Sequence, residues 1–169
     1  MSWWSVLKDN DIRGPMSENE MIAEFKKNGM SWPSRSQRWQ NLTRTLFMSP
    51  NPQYLVIYGR KGTPEEGKPI AAQGWAKVDG VFLGQGLRNP AGIEGKGYAT
   101  EVAREVFILG NRKPALLFAN NKSYPIFRGL GFKDANLEDV KGLSQKIGED
   151  FVQNIPDFHR WGEKLVVLK

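Results

Sequence analysis

One segment constrains the fold more than any other, the run from Ile70 to Ala119. It opens with "IAAQGWAKV" and "VFLGQGL", two β-forming runs joined at Asp79-Gly80, a dipeptide that favours a two-residue hairpin turn. It continues through "GIEGKGYATEVAREVFILG", in which Gly92, Gly95 and Gly97 surround Lys96 and an amphipathic helix follows. Ala99, Val102, Ala103, Val106 and Phe107 fall on one face of that helix, and Gly110 ends it. The segment closes on "KPALLFA", a nearly all-apolar run of the kind expected for a buried strand. Strands and helices alternating in this way imply a mixed α/β sheet flanked by helices.

The rest of the chain fits around that unit. "MSENEMIAEFKKNG" predicts a capped helix: Ser17 and Glu20 have capping-box spacing, Gly29 is a natural stop, and Met21, Ile22 and Phe25 form the buried stripe. Beyond the breaker "SWPS", the spacing of Trp39, Leu42 and Leu46 predicts a second helix from about Ser36 to Phe47. "QYLVIYGR" reads as a strand and "KGTPEEGKP" as a turn-rich break. A helix is expected across "KSYPIFRGLGF", one loose helical pattern through Leu137, Val140, Leu143, Ile147 and Phe151, and a closing strand at "EKLVVLK". The 169 residues are most simply one domain: N-terminal helices over 1–48, a core over 49–134, and a closing helix and strand over 135–169.

Composition removes several function classes. There is no cysteine, so disulfides, thiolate metal sites and thiol nucleophiles are excluded, and the single His159 argues against a histidine metal site or relay. No metal site is expected. No apolar run reaches the roughly 18 residues of a membrane span, and "MSWWSVLKDNDIRG" places acidic residues where an export signal needs its apolar stretch. A cytoplasmic protein is the expectation. The net charge of +6 is concentrated in the middle: basic residues exceed acidic ones by two in 1–48 and by five in 49–134, and fall one short in 135–169. A polyanionic small ligand accounts for that excess as well as a nucleic acid does. No Lys/Arg run marks a nucleic-acid tail, so nucleic acid is the weakest reading.

A glycine turn feeding a helix N-terminus is suited to an anion, because unpaired N–H groups and the helix dipole point the same way. Two nucleotide motifs fail here. The Walker pattern needs Gly five residues before Gly95, where Pro90 stands, and Ser or Thr after Lys96, where Gly97 stands. The dinucleotide pattern needs a third glycine where Thr100 stands, and the acidic residue expected about 20 positions on is missing near Leu116 and Leu117.

"EGKGYA", Glu94 to Ala99, resembles the acyl-CoA loop of the GNAT N-acetyltransferase superfamily, whose pattern is [Q/R]-x-x-G-x-[G/A]. Gly97 and Ala99 occupy the two small positions, and Glu94 departs from the usual Gln or Arg. Downstream, "NNKSYPIFRGLGF" resembles the second signature of that superfamily through Asn120, Ser123 and Leu130-Gly131-Phe132. The wording "GKGYATE" with Ser123 is most similar to the ribosomal-protein N-terminal acetyltransferase branch. The resemblance covers about residues 53–134.

The resemblance implies a single-domain GNAT-like fold with the acyl-CoA loop between a central strand and the next helix. It implies acetyl-CoA as co-substrate, its pyrophosphate on the backbone of Gly95, Lys96, Gly97, Tyr98, Ala99 and Thr100, beside Glu94. The pantetheine arm would lie between the strand ending near Leu87 and "KPALLFA", with Asn120, Ser123 and Phe127 along the cofactor. Transfer of acetyl to an amine (a protein N-terminus, a lysine or a small molecule) is the implied reaction. Phe127 falls where the family commonly has a tyrosine acid, and Tyr124, Asp79 and Glu94 are the stand-ins. Asn120 has an alternative reading as a helix cap. A non-catalytic acyl-CoA-binding or interaction protein is the competing function. In the family the first helices often line the acceptor side; here they carry Trp3, Trp4, Arg35, Arg38 and Arg44, which plain packing or solvation also explains.

Overall fold

The computed structural model describes residues 11–30, 52–88, 97–158 and 164–169. One seven-stranded sheet draws its strands from almost the whole chain, in the order β1-β2-β3-β4-β5-β7-β6. β1 is Asp11–Ser17, β2 Gln53–Tyr58, β3 Pro69–Val78, β4 Val81–Arg88, β5 Ala115–Ala119, β6 Lys133–Asp134 and β7 Lys164–Leu168. Every neighbouring pair is antiparallel except β4 and β5. A mixed sheet of this kind is what the alternation of strand and helix signals implied.

The helices form where their local signals lie. Helix α1, Glu18–Lys27, starts at the expected capping box: Ser17 Oγ accepts from the Glu20 N–H at 3.2 Å, and Glu20 Oε1 accepts from the Ser17 N–H at 3.4 Å. Met21 and Phe25 are fully buried against Tyr54, Val56 and Tyr58, while Ile22 is only half-buried at the margin of that cluster. Helix α2, Tyr98–Arg104, continues as a π-helical turn over Glu105–Leu109 and stops at Gly110. Val102, Ala103, Val106 and Phe107 make its fully buried face. Helix α3 is Tyr124–Gly129.

The tail differs from expectation. Its helical pattern is cut at Ser144 into α4, Leu137–Leu143, and α5, Gln145–Phe158. Ser144 takes an extended conformation, and its Oγ both accepts from the Ile147 N–H at 3.1 Å and donates to Asp79 Oδ2 at 2.6 Å. A serine at a helix start serves as a cap, so the single stripe is carried by two helices. β1 and β6 were not expected either. β1 contains Gly14-Pro15, punctuation that argues against a strand, but an edge strand tolerates a residue without a donor N–H. Its register with β2 shifts between Arg13 and Met16, around those two residues.

Side-chain alternation sorts the helices onto two faces. Leu55, Ile57, Trp75, Ala115 and Leu117 pack with α2 and α3 on one face. On the other, Tyr54, Val56 and Tyr58 meet α1, and Val81, Leu83, Leu116 and Val167 meet α4 and α5. The β3–β4 hairpin turns at Asp79 and Gly80 with φ of 50° and 77°, the two left-handed residues that a type I′ turn requires. Among the described residues no helix is long and apolar enough to cross a membrane. The second expected helix, Ser36–Phe47, lies outside the described residues, as do Trp3, Trp4, Arg35, Arg38, Arg44 and His159.

Candidate functional site

The sheet opens in its middle. β4 and β5 run parallel and pair only as Phe82 with Ala115 and Leu83 with Leu116. Past that point β4 stays with β3 as far as Arg88, and β5 stays with β7 from Ala115↔Leu168 to Ala119↔Lys164. The two strands therefore diverge toward their C-terminal ends, the end at which α/β sheets commonly hold ligands. Leu117 leans across the start of the opening. A Cβ on Gly84 would meet its Cδ2 at 2.7 Å, so only glycine leaves room for it.

A bulge in β4 sits beside the opening. Gly74 pairs with Gln85, and the next registered pair is Ala72 with Arg88. Gly86 and Leu87 thus share the single partner position of Gln73. A bulge of this type takes residues out of the ladder, increases the local twist and re-aims backbone groups. Gln73 is 1% exposed, and its Nε2 donates to the Gly74 carbonyl at 2.7 Å and to the Gln85 carbonyl at 3.2 Å. Nothing in the sequence marked Gln73, because its partners are set by the register of β3 on β4.

The N-terminus of α2 follows the strand that lines the opening. Gly97 has φ of 83°, a left-handed conformation suited to glycine, and among the described residues a Cβ there would meet nothing within 4 Å. Its carbonyl accepts the first helical bond, from the Glu101 N–H at 3.0 Å, so the amides of Tyr98, Ala99 and Thr100 have no carbonyl within the helix. Tyr98 offers the site only its backbone, since its ring is 3% exposed in the core. Arg60 reaches this turn from the end of β2, paired with Glu101 and with its guanidinium 5.5 Å from the Tyr98 ring centroid. Burial raises the Glu101 carboxyl above the usual range, and Arg60 pulls it back. Arg60 is a second residue that sequence reasoning missed, as 41 positions separate it from Glu101.

The other expected residues divide. Asn120 closes the turn that leads into α3, whose cap position is Ser123: Asn120 Oδ1 accepts from the N–H groups of Lys122 and Ser123 at 3.0 and 2.9 Å, and Ser123 Oγ accepts in return from the Asn120 N–H at 3.1 Å. Both lie in the exposed-to-intermediate turn after β5. Phe127 is 2% exposed and packs edge-on to Phe107 and Phe132, with centroids 6.3 and 5.3 Å away. Its ring belongs to the core under α3. Tyr124 donates its hydroxyl to Asp134 Oδ1 at 2.5 Å, and Lys164 Nζ lies 4.7 Å from its ring centroid. Asp134 is on β6, the edge strand on the far side of β7, so the phenol is held toward that edge and not toward β4. That hydrogen bond is the main cause of a raised Tyr124 pKa. Asp79 sits in the hairpin turn, at the closed end of β4, bound by Ser144. Glu94, Gly95 and Lys96 lie outside the described residues, and Leu87 lies in the β4 bulge.

A parallel pair that parts beyond Leu83 and Leu116, with a helix starting at the left-handed Gly97 next in the described chain, frames the candidate site. The fold is that of the GNAT acetyltransferases. The Escherichia coli ribosomal-protein-S18-alanine N-acetyltransferase superposes with a TM-score of 0.51 at 11% identity, over 75% of this chain and 79% of that one. The Neisseria gonorrhoeae N-acetylglutamate synthase, solved with coenzyme A and L-arginine, gives 0.55 at 11% identity over 95% of this chain. A Pyrococcus horikoshii protein assigned as an acetyltransferase gives 0.50 at 15% identity over 76% of this chain. This chain spans 33% of the synthase and 44% of the Pyrococcus protein. No family model matches the sequence, and no curated protein does.

Proposed function

We propose that this protein is an acetyl-CoA-dependent N-acetyltransferase acting on an amine. The observation that carries the reading is the opening between β4 and β5 beside the N-terminus of α2. The CoA pyrophosphate would rest on the amides from Gly95 through Thr100, near Glu94 and Lys96, where the helix dipole favours negative charge. The pantetheine arm would follow the opening past Leu87, with Asn120 and Ser123 at its β5 side. Phe127 would support that wall from within the core.

Acetyl-CoA supplies a thioester activated for acyl transfer. The amine, once deprotonated, attacks the thioester carbonyl carbon; the C–N bond forms, the C–S bond breaks, and the acetamide and a CoA thiolate result. The oxyanion of the tetrahedral intermediate needs N–H donors in place beforehand. A backbone amide of the β4 bulge, beyond the point where pairing with β5 ends, would be suited to that task. The amine's proton and the thiolate's proton are both exchanged with water in this scheme. An alkyl thiol has a pKa near 8.5, so its thiolate leaves without the acid help an alkoxide requires. Tyr124, hydrogen-bonded to Asp134, is not assigned that role.

The wording of the loop makes peptide α-amines the first acceptors to try, ahead of lysine side chains and small amines. The deciding experiment is thiol release from acetyl-CoA across such a panel, together with the melting temperature with and without acetyl-CoA. Gly97→Asp places a negative side chain at the proposed pyrophosphate site. Acetyl-CoA is expected to raise the melting temperature of the parent and not of this variant. Stabilisation of both to the same extent removes α2 from the binding site. The tethered Tyr124 and the buried Phe127 favour a second reading, a non-catalytic acyl-CoA-binding protein; acetyl-CoA stabilisation without turnover on any amine would select it.

A further inference from the structure

We propose that Gln73 is a positioning residue for acyl transfer that acts through the β4 bulge; the inference rests on the acetyltransferase reading above. Gln73 is the β3 residue facing Gly86 and Leu87, the point where the ladder carries one residue too many on β4. A bulge interrupts ladder hydrogen bonds, and buried backbone carbonyls require a donor from somewhere. The Gln73 amide donates to two carbonyls at the edge of the bulge, Gly74 at 2.7 Å and Gln85 at 3.2 Å, and so adds a side-chain hold to the last pair before it. Since both partners are carbonyl oxygens, the nitrogen end of the amide must face them.

The rest of the side chain argues against a role in stability alone. Gln73 is 1% exposed, and its Oε1 has no hydrogen-bond partner among the described residues. A buried acceptor without a donor is unfavourable, and an apolar residue in a regular, unbulged strand would avoid it. The glutamine is instead matched to the bulge. The bulge begins at Gly86, three residues beyond Leu83, the last β4 residue paired with β5. It therefore lies on the wall of the opening where the acyl carbonyl would sit. Clamping the Gln85 carbonyl fixes the peptide plane shared with the Gly86 N–H, so the side chain sets the direction of the first bulged amide. Oxyanion stabilisation depends on donors aimed within a few tenths of an ångström, and a displacement of about 1 Å costs up to 10²-fold in rate.

The test is steady-state kinetics with the best acceptor from the amine panel, alongside acetyl-CoA binding by thermal shift. Gln73→Leu removes the donor at similar volume. Gln73→His returns a ring N–H close to the position of Nε2. The Leu variant is expected to lose about 10- to 100-fold in kcat, with KM for acetyl-CoA and the acetyl-CoA thermal shift within about twofold of the parent. The His variant is expected to recover part of that loss. Should Gln73→Leu not fold, Gln73→Asn, one methylene too short to reach both carbonyls, gives the same split. A variant that melts lower but keeps the parent's kcat, or that loses kcat and acetyl-CoA affinity together, overturns the positioning role and leaves the enzyme reading intact. A parent chain that neither binds acetyl-CoA nor releases thiol overturns both.

Discussion

The two edges of β5 are built from the same five residues and end differently. Along β7 the ladder is complete, from Ala115 to Ala119. Along β4 it stops after Leu83↔Leu116. The complete edge joins two strands whose inward residues, Leu116, Val166 and Val167, are at most 4% exposed. The open edge faces a strand with Gly84 and Gly86 in it and a bulge at its far end, beyond the last pair with β5. On the proposed reading, stability and ligand access fall on opposite sides of one strand. Backbone groups satisfied by a neighbour cannot serve a ligand, and those released by divergence can.

The largest effect should come from the closed side. Leu116→Ala removes a side chain 1% exposed in the cluster with Ile147 and Phe151, and is expected to cost about 2–5 kcal/mol in denaturant unfolding. The acetyl-CoA shift of whatever remains folded should be unchanged. A selective loss of acetyl-CoA binding would blur the division between the two edges. On the open side, Gly84→Val places a branched side chain where even a Cβ meets Leu117 Cδ2 at 2.7 Å and its Cβ at 2.9 Å. Overpacking of this kind costs about 1–3 kcal/mol. Because Leu117 must move, this variant should also lose most of its acetyl-CoA stabilisation.

Phe127→Tyr sharpens the contrast further. The ring is packed among Phe107 and Phe132, so an added hydroxyl would be buried in an apolar cluster. A loss of about 1–3 kcal/mol is expected, with no gain in thiol release. Faster turnover in this variant would mean that position 127 reaches the opening after all. The smallest effect is assigned to Tyr124→Phe, since the phenol is tied to Asp134 at the β6 edge. Its turnover should match the parent's. The raised Tyr124 pKa makes one further expectation. The hydroxyl keeps its proton in the folded chain at pH values where the unfolded chain has begun to lose it near pH 10. Its contribution is full below that pH and is lost as pH rises through the folded value. A melting curve against pH should therefore fall more steeply above about pH 10 in the parent than in Tyr124→Phe.

Much of the fold was legible because its signals are local. The capping box at Ser17 and Glu20, the Asp79-Gly80 turn and the apolar face of α2 each depend on residues within a few positions of one another. So does the glycine at 97, whose left-handed backbone and place before a helix follow from loop chemistry. What failed was decided by partners far away in sequence. β1 is a strand because β2 offers it an edge, despite Gly14-Pro15. The tail helix breaks because Ser144 finds both Asp79 and the Ile147 amide. Tyr124 and Phe127 occupy neighbouring turns of one helix, yet one hydroxyl meets Asp134 and the other ring enters the core.

By itself the amino-acid order determined the strands β2 to β5 and β7, the capped helix α1, the glycine-started helix α2, and the resemblance in two short signatures. Spacing carries such information because propensity, capping and turn geometry act over less than about two helical turns. The tertiary structure alone decided where β4 leaves β5, which residue faces the bulge, and that Arg60 meets the first turn of α2. Those depend on register between strands that are distant in sequence. A shift of one residue exchanges the faces of a whole strand, and nothing in the spacing of residues within either strand specifies it.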